Sequence, residues 1–259
     1  TSVSRGLGDV YKRQSPYILV FIAFVSLLVI DLTGKKKEKD DISFTELSFN
    51  KVMAYSGHPE YQYKLGRAYD KGLLVLQNNE VAIKWYKKAA KKKHPKAMTN
   101  LAYFYDQGLV LEKNKGRALD LYLDAARLGN SVAQYNVALM YESGEGSPVN
   151  IARAKYWYLL AAEGGDYHAQ YNLALLLEKG KCIKQDLKRA LYWYEKAASS
   201  GLVEAQFNLG YMHHMGIGTK QSFSEAMKWY LSAADNGDND AKFNLEQIRI
   251  FLKEKAHRT

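Results

Sequence analysis

The sequence has only one cysteine, Cys182, among its 259 residues. One thiol cannot form an intrachain disulfide, and the sequence has no Cys-x-x-Cys metal or redox motif. Proline is scarce as well, with 4 residues against 19 glycines and 20 tyrosines. Because proline interrupts helices and glycine often ends them, a proline-poor chain with regularly placed glycines favours helices of one kind, punctuated at fixed intervals.

The motifs of familiar catalytic sites are missing too. The sequence has no His-Glu-x-x-His, no Gly-x-Ser-x-Gly and no Walker-type phosphate loop. Ser48-Phe49-Asn50-Lys51 fits the Ser-x-x-Lys pattern of penicillin-recognising enzymes, but the companion Ser-Asp-Asn and Lys-Thr-Gly motifs are absent. We therefore predict no catalytic residue, no cofactor and no metal site, with a β-lactam-binding or β-lactamase-like enzyme as an alternative.

Positive charge exceeds negative charge, with 37 lysines and arginines against 27 acidic residues and a formal net charge of +10. Part of the excess is a lysine cluster that runs from Lys84 to Lys96. The helix dipole favours lysines at a helix C-terminus, so a solvated helix end accounts for this cluster. The alternative is a basic scaffold for nucleic acid or an anionic membrane, although no specific nucleic acid is expected.

The sequence repeats itself with a period of 36 residues. Ala-Gln-Tyr-Asn begins at Ala133 and at Ala169, Ala-Gln-Phe-Asn begins at Ala205, and Ala-Lys-Phe-Asn begins at Ala241. Trp-Tyr pairs, Ala-Ala pairs and two glycine columns follow the same spacing. Such regularity does not arise by chance, and it predicts structural units that follow one another without gaps. The five units are residues 58–93, 94–129, 130–165, 166–201 and 202–237.

Each unit contains two apolar stripes with helical spacing. In the third unit the first stripe ends at Gly144, and the second carries Trp157 and Tyr158 and ends at Gly165. A helix pair this small cannot bury its own apolar face, so the pairs must stack. The Trp and Tyr rings are expected to fill the spaces between helices. Truncation of Trp157 or Trp193 to alanine should cost roughly 3–5 kcal/mol if the ring is fully buried.

The two ends of the repeat region contain half-units. Residues 44–57 are predicted to form an N-terminal capping helix, with Phe49 in the tryptophan column. Residues 238–259 repeat only the first helix and then become charged, as expected of a C-terminal capping helix.

The pattern Ala-x-x-x-Leu-Gly-x-x-Tyr-x-x-Gly-x-Gly, followed by Ala-x-x-Trp-Tyr-x-x-Ala-Ala-x-x-Gly, resembles the Sel1-like repeats (SLR) of the tetratricopeptide superfamily. The resemblance covers roughly residues 44–259. It implies an all-α fold, a right-handed superhelical solenoid of antiparallel helix pairs, and a protein-binding scaffold or adaptor rather than an enzyme. A cysteine-rich secreted branch of the family is linked to β-lactam binding, but its paired cysteines are missing here.

The loop inside each unit departs from that pattern in places. Only Gly146 and Gly218 fill the second loop glycine, whereas Leu74, Val110 and Cys182 stand there in the other units. We therefore expect those three loops to differ in conformation. The stretch Gly216-Ile-Gly-Thr-Lys, which superficially resembles a phosphate cradle, is explained as the same repeat loop.

In tetratricopeptide-like solenoids the first helices line the concave face, and the resemblance places aromatic, leucine and asparagine columns there. Aromatic anchors beside amides suit an extended peptide, so the expected partner is an unidentified protein or peptide bound by a monomeric solenoid. Alternatively, the asparagines bond neighbouring backbone and the aromatics pack between units. The candidate protein-binding residues are Tyr103, Tyr135, Asn136, Leu139, Tyr171, Asn172, Leu175, Phe207, Asn208 and Tyr211.

His213 and His214 differ from the other residues of their repeat columns. His213 stands where the other units have tyrosine or leucine, and His214 stands where they have aspartate or glutamate. Adjacent side chains project about 100° apart on a helix, and a metal site needs more ligands than these two. We therefore interpret His213 as a residue at the edge of the core.

The residues before the repeat region are of three kinds. Residues 1–14 end in Asp-Val-Tyr-Lys-Arg-Gln, which resembles a translated sequencing adapter, so we interpret them as an assembly artefact of bacterial metagenomic sequence. The apolar run in residues 15–32 is predicted to be an uncleaved membrane anchor or, if cleaved, the signal segment of a secreted or periplasmic protein. Residues 33–43 are predicted to form a charged linker, and the sidedness stays open.

Overall fold

The computed structural model of the protein describes residues 43–180 and 182–257. These residues form twelve helices and no strand. They belong to two compact units, one that ends at Gly129 and one that begins at Asn130. In chain order the helices are α1 (Phe44–Tyr55), α2 (Pro59–Lys71), α3 (Asn79–Lys91), α4 (Pro95–Gln107), α5 (Lys115–Arg127), α6 (Ser131–Ser143), α7 (Ile151–Glu163), α8 (Tyr167–Lys179), α9 (Leu187–Ser199), α10 (Val203–Met215), α11 (Phe223–Asp235) and α12 (Asn239–Ala256).

The helices are arranged in pairs. The first unit contains α1 and the pairs α2–α3 and α4–α5, and the second contains the pairs α6–α7, α8–α9 and α10–α11, followed by α12. Within each unit, every helix packs against the next one along the chain. The predicted all-α fold of stacked helix pairs is therefore confirmed in each unit.

A polar side chain caps the start of the second helix in every pair. Its oxygen accepts the backbone N–H of the residue three positions further on, over distances of 2.8–3.3 Å. Such a cap contributes about 1 kcal/mol, so the sequence itself determines where these helices begin. The capping residues are Asn78, Asn114, Asn150, Asp186 and Ser222.

The loop inside each pair follows one backbone course. The glycine that ends the first helix has a φ of 64–80° in all five pairs. Two residues later φ is positive again, at 75° for Gly146 and 71° for Gly218, but also at 55° for Leu74, 64° for Val110 and 63° for Cys182. The expected difference in conformation is therefore wrong. In every pair the N–H of the capping residue bonds a carbonyl of the first helix over 2.7–2.9 Å, and this closure imposes the same turn on non-glycine residues.

One tyrosine per pair lies at the centre of the core, whereas the tryptophan before it in the last three pairs lies at the border. Trp157 and Trp193 are only half-buried. Because neither ring is fully buried, truncation of either residue to alanine should lower the free energy of unfolding by less than the roughly 3–5 kcal/mol expected for a fully buried ring. Neighbouring residues project about 100° apart on a helix, so in these pairs the tyrosine ring points into the seam and the tryptophan ring points away from it. In the first pair, Trp85 is buried beside Tyr86. The tyrosines, each at most 2% exposed, are Tyr86, Tyr122, Tyr158, Tyr194 and Tyr230.

Aromatic contacts join α1 and α12 to the helices beside them. Phe49 packs edge-on against Tyr61 with ring centroids 5.2 Å apart, and Phe251 packs against Phe223 at 5.4 Å. The predicted artefact (1–14), anchor (15–32) and linker (33–43, apart from its last residue) lie outside the described residues. Among the helices that the structure describes, none is both long and apolar enough to cross a membrane.

Replacing Val110 with glycine should stabilise the protein. Val110 is β-branched and holds a φ of 64°, a region that only glycine adopts without steric cost. We expect a gain of about 0.5–1 kcal/mol in the free energy of unfolding, measured by urea denaturation, because relief of strain exceeds the entropy that glycine adds to the unfolded chain. The exposed loop residue Val149, which lacks a positive φ, is the control. Val149→Gly should destabilise slightly, and a gain as large as that of Val110→Gly would contradict the strain argument.

Candidate protein-binding face

In three of the five pairs, the hydroxyl of the buried tyrosine is held by an acidic residue of the same helix pair. Burial, reinforced by the nearby carboxylate, raises the pKa of Tyr86, Tyr158 and Tyr194 well above its usual range. These phenols therefore stay protonated and act as donors. The bonds run from Tyr86 to Asp70 Oδ2 (3.2 Å), from Tyr158 to Glu142 Oε2 (2.7 Å) and from Tyr194 to Glu178 Oε2 (2.6 Å).

Among the three predicted asparagines, Asn136 donates to the backbone carbonyl of Val132 over 2.9 Å, whereas Asn172 and Asn208 face the tyrosine of the preceding pair. Asn172 Nδ2 lies 3.3 Å from the Tyr158 hydroxyl oxygen and 3.5 Å from that of Tyr135. Asn208 lies beside the Tyr194 hydroxyl in the equivalent place. The amide N–H group of Asn172 is thus used inside the protein. Its partners are tyrosine hydroxyls rather than the backbone, so Tyr158 links its own pair to the next.

A buried glutamine forms a second link between pairs, which the sequence reasoning missed. Gln170 Nε2 donates to the Ala162 carbonyl over 3.1 Å, and Gln206 Nε2 donates to the Ala198 carbonyl over 3.2 Å. Both carbonyls lie in the last turn of a second helix, and each also accepts the backbone N–H of the glycine three residues on, Gly165 at 3.1 Å and Gly201 at 3.0 Å. The recurring Ala-Gln string carried this signal, because a glutamine on an apolar stripe must find a partner when it is buried.

We call the buried tyrosine hydroxyl, the acid of its own pair and the asparagine of the following pair the tyrosine network. The last pair lacks part of this network. The His214 ring, in place of the acid, lies 5.6 Å from the ring of Phe223 and 6.2 Å from that of Tyr230. Among the described residues, no group bonds the buried Tyr230 hydroxyl at normal geometry. Burial raises the pKa of Tyr230 to about 12. His213 is half-buried with its Nδ1 unpartnered within the described chain, and no cluster of three His, Cys, Asp or Glu side chains there could hold a metal ion.

Four of the predicted binding residues meet in the second unit. Leu175 of α8 and Phe207, Asn208 and Tyr211 of α10 line one open cavity of about 670 Å³. A cavity of this size accommodates one or two bulky side chains of a ligand. In the first unit, Tyr103 is 50% exposed. The remaining candidates of the second unit are half-buried and do not line this cavity; they are Tyr135, Asn136, Leu139, Tyr171 and Asn172.

Leu187 and Ile217 add apolar wall to this cavity, and sequence reasoning did not find them. Leu187 is the first residue of α9, and Ile217 lies in the loop after α10. Both come from repeat positions near the loops, so the helical stripes gave no reason to place them beside Phe207. Glu178 and Lys179 add one charge of each sign to the lining, and Asn244 adds an amide. We call this site the apolar cavity.

The last pair provides a test of the tyrosine network. Tyr194→Phe removes the donor that Glu178 accepts at 2.6 Å and should cost about 1–3 kcal/mol in the free energy of unfolding. Tyr230→Phe deletes a buried hydroxyl that has no partner of normal geometry in the described chain, so it should be neutral or slightly stabilising. Urea titrations of the two variants give the comparison. Equal losses would show that the hydroxyl–carboxylate bond contributes nothing.

The sequence pattern of the Sel1 repeat matches residues 59–94, 95–130, 131–166, 168–202 and 203–238. Among solved structures, a protective antigen present in uropathogenic Escherichia coli strains, described as displaying an SLR fold, is 26% identical with a TM-score of 0.79. The match covers 94% of this chain but 51% of that protein, so the chain spans about half its length.

A second solved structure, a Sel1 repeat protein from Oxalobacter formigenes, is 29% identical with a TM-score of 0.69. Here the match covers 85% of this chain and 87% of the other. No curated protein matches the chain. Because five successive matches to the repeat account for well over half of the sequence, the chain belongs to the Sel1 repeat family.

Proposed function

We propose that the protein is a non-catalytic scaffold or adaptor that binds an extended segment of a partner protein on the first helices of its second unit. Proteins with the Sel1 repeat fold are commonly protein-interaction scaffolds. The observation that carries the proposal is the apolar cavity, which joins side chains from α8, α9 and α10 in one open depression. Enclosure on several sides by apolar groups is what a buried anchor residue of a ligand needs.

The tyrosine network narrows the proposal to particular residues. Asn172 bonds the Tyr158 hydroxyl and Asn208 lies beside the Tyr194 hydroxyl, so we assign both to holding the helices together rather than to contacting the ligand first. Tyr211 is different, because it lines the cavity and is 41% exposed. We therefore assign recognition mainly to Leu175, Phe207 and Tyr211.

The lysine cluster of the first unit supports the basic-scaffold alternative less well. Two of its members have structural contacts. Lys88 Nζ lies 4.0 Å from the centre of the Trp85 ring, and Lys92 Nζ donates to the Gly57 carbonyl. The β-lactam alternative rests on Ser48 and Lys51, which lie three residues apart on α1, and neither lines the described cavities.

Selection of a random peptide library on the purified protein tests the binding face. We expect the selected peptides to share a bulky apolar residue, and Tyr211→Ala to weaken them about tenfold, or roughly 1.4 kcal/mol. Affinities would be measured by fluorescence polarisation.

Tyr192→Ala is the matched control for this experiment. Tyr192 is 49% exposed but lies on α9, against Trp193 and outside the apolar cavity. Its truncation should leave affinity unchanged. Equal weakening by both substitutions would place the peptide elsewhere, and failure to select any peptide would refute peptide binding by this face.

A further inference from the structure

A second cavity of the second unit is strongly cationic. It has a volume of about 950 Å³ and lies where the loop before α9 faces the loop after α10. Five basic side chains line it against a single acidic one, Asp186. We call it the cationic cavity. Its basic residues are Lys155, Lys184, Lys188, Arg189 and Lys220.

The one carboxylate in this cavity does not balance the charge. Asp186 caps α9 by accepting the Arg189 backbone N–H over 3.0 Å, and its other oxygen lies 3.6 Å from Arg189 Nε. No acidic side chain of the described residues forms an ion pair with the four lysines. Four positive charges therefore surround one open volume without an internal counterion.

The repeat architecture does not require these charges. At the position of Lys184 and Lys220, the earlier units have Leu76, Glu112 and Pro148. Lys188 also lies in the first turn of α9, where the helix dipole disfavours cations, whereas Arg189 follows the repeat because Arg117 and Arg153 hold the same position. Residues that raise the electrostatic energy without serving the fold are expected at a functional site, where a ligand of opposite charge offsets the cost.

The cationic cavity adjoins the apolar cavity. Gln185 and Leu187 line both, so the two form one continuous surface across the start of α9. Gln185 is held in place because its Nε2 donates to the Glu178 carbonyl over 2.7 Å. An extended chain that places an apolar side chain beside Phe207 can therefore place its neighbouring residues among the lysines.

We infer that the cationic cavity binds acidic side chains of the partner segment whose apolar residue occupies the apolar cavity. This inference rests on the proposed function for the apolar half, while the acidic half can be tested separately. Lysine ammonium groups act as mobile point charges that suit successive carboxylates along a flexible chain. The partner class is thus an acidic peptide segment with an apolar anchor.

Fluorescein-labelled decaglutamate is the probe for the acidic half. We expect it to bind the unmodified protein at low ionic strength, with affinity that falls as salt rises. The triple variant Lys184→Glu, Lys188→Glu, Lys220→Glu should bind it at least about tenfold more weakly. The control triple variant Lys242→Glu, Lys253→Glu, Lys255→Glu changes the net charge equally on exposed sites of α12, and it should keep most of the affinity. Circular dichroism melts would verify that both variants are folded.

The outcomes separate the possible ligands. Absence of decaglutamate binding, or equal loss in the control variant, overturns the inference. Tripolyphosphate that competes with decaglutamate at far lower charge-equivalent concentrations would also overturn it, in favour of a small phosphorylated anion. If the selected apolar peptides bind the Lys184/Lys188/Lys220 variant unchanged and contain no excess of acidic residues, the inference fails while the proposed function stands. If decaglutamate binds as expected but Tyr211→Ala has no effect on those peptides, the proposed function fails instead.

Discussion

Each helix pair buries one tyrosine, and the phenol of that tyrosine must find a hydrogen-bond partner inside the protein. This requirement connects the parts of the repeat. In the third pair the Tyr158 ring fills the seam, its hydroxyl donates to Glu142 of the first helix, and Asn172 of the following pair completes the contact. A single buried polar atom thus couples three helices, and a lost partner there leaves a desolvated group with a cost comparable to a whole hydrogen bond. The buried glutamine adds the same kind of link between pairs.

The fifth repeat shows what happens when one member changes. With His214 in place of the acid, the Tyr230 hydroxyl lacks a partner of normal geometry among the described residues, and Gly210 replaces the alanine of the middle repeats. A Cβ at Gly210 would lie 2.8 Å from the Tyr230 ring, so the glycine allows the ring to approach the helix backbone. The apolar cavity lies against this same pair, since Phe207 packs on Tyr230 with ring centroids 5.7 Å apart. The apolar cavity therefore lies against the helix pair in which the Tyr230 hydroxyl has no partner of normal geometry among the described residues.

Much of the fold followed from the sequence because the relevant signals are local. The spacing of small and aromatic residues defines two helices per unit, and the polar caps and glycines define their ends. Sequence could not tell that Trp85 is buried while Trp157 and Trp193 are half-buried, because that depends on how the neighbouring helices pack. It also misjudged Val110, since a loop closed at both ends by hydrogen bonds imposes its backbone on whatever residue stands there. The candidate site was found only in part, because Leu187 and Ile217 reach Phe207 through the stacking of pairs rather than through any pattern along the chain.

In a repeat protein, the positions that depart from the repeat pattern carry the most information about function. Residues that obey the period are accounted for by helix ends, the seam and the links between pairs, so they carry little information about a ligand. The four lysines of the cationic cavity serve none of these purposes and stand in columns where other units have apolar, acidic or small residues. Exposed charges can be substituted at little cost in stability, and like charges repel one another when they are concentrated. A group of four lysines beside an apolar cavity is therefore explained by a ligand rather than by the fold. An acidic segment has the charge that these side chains would bind.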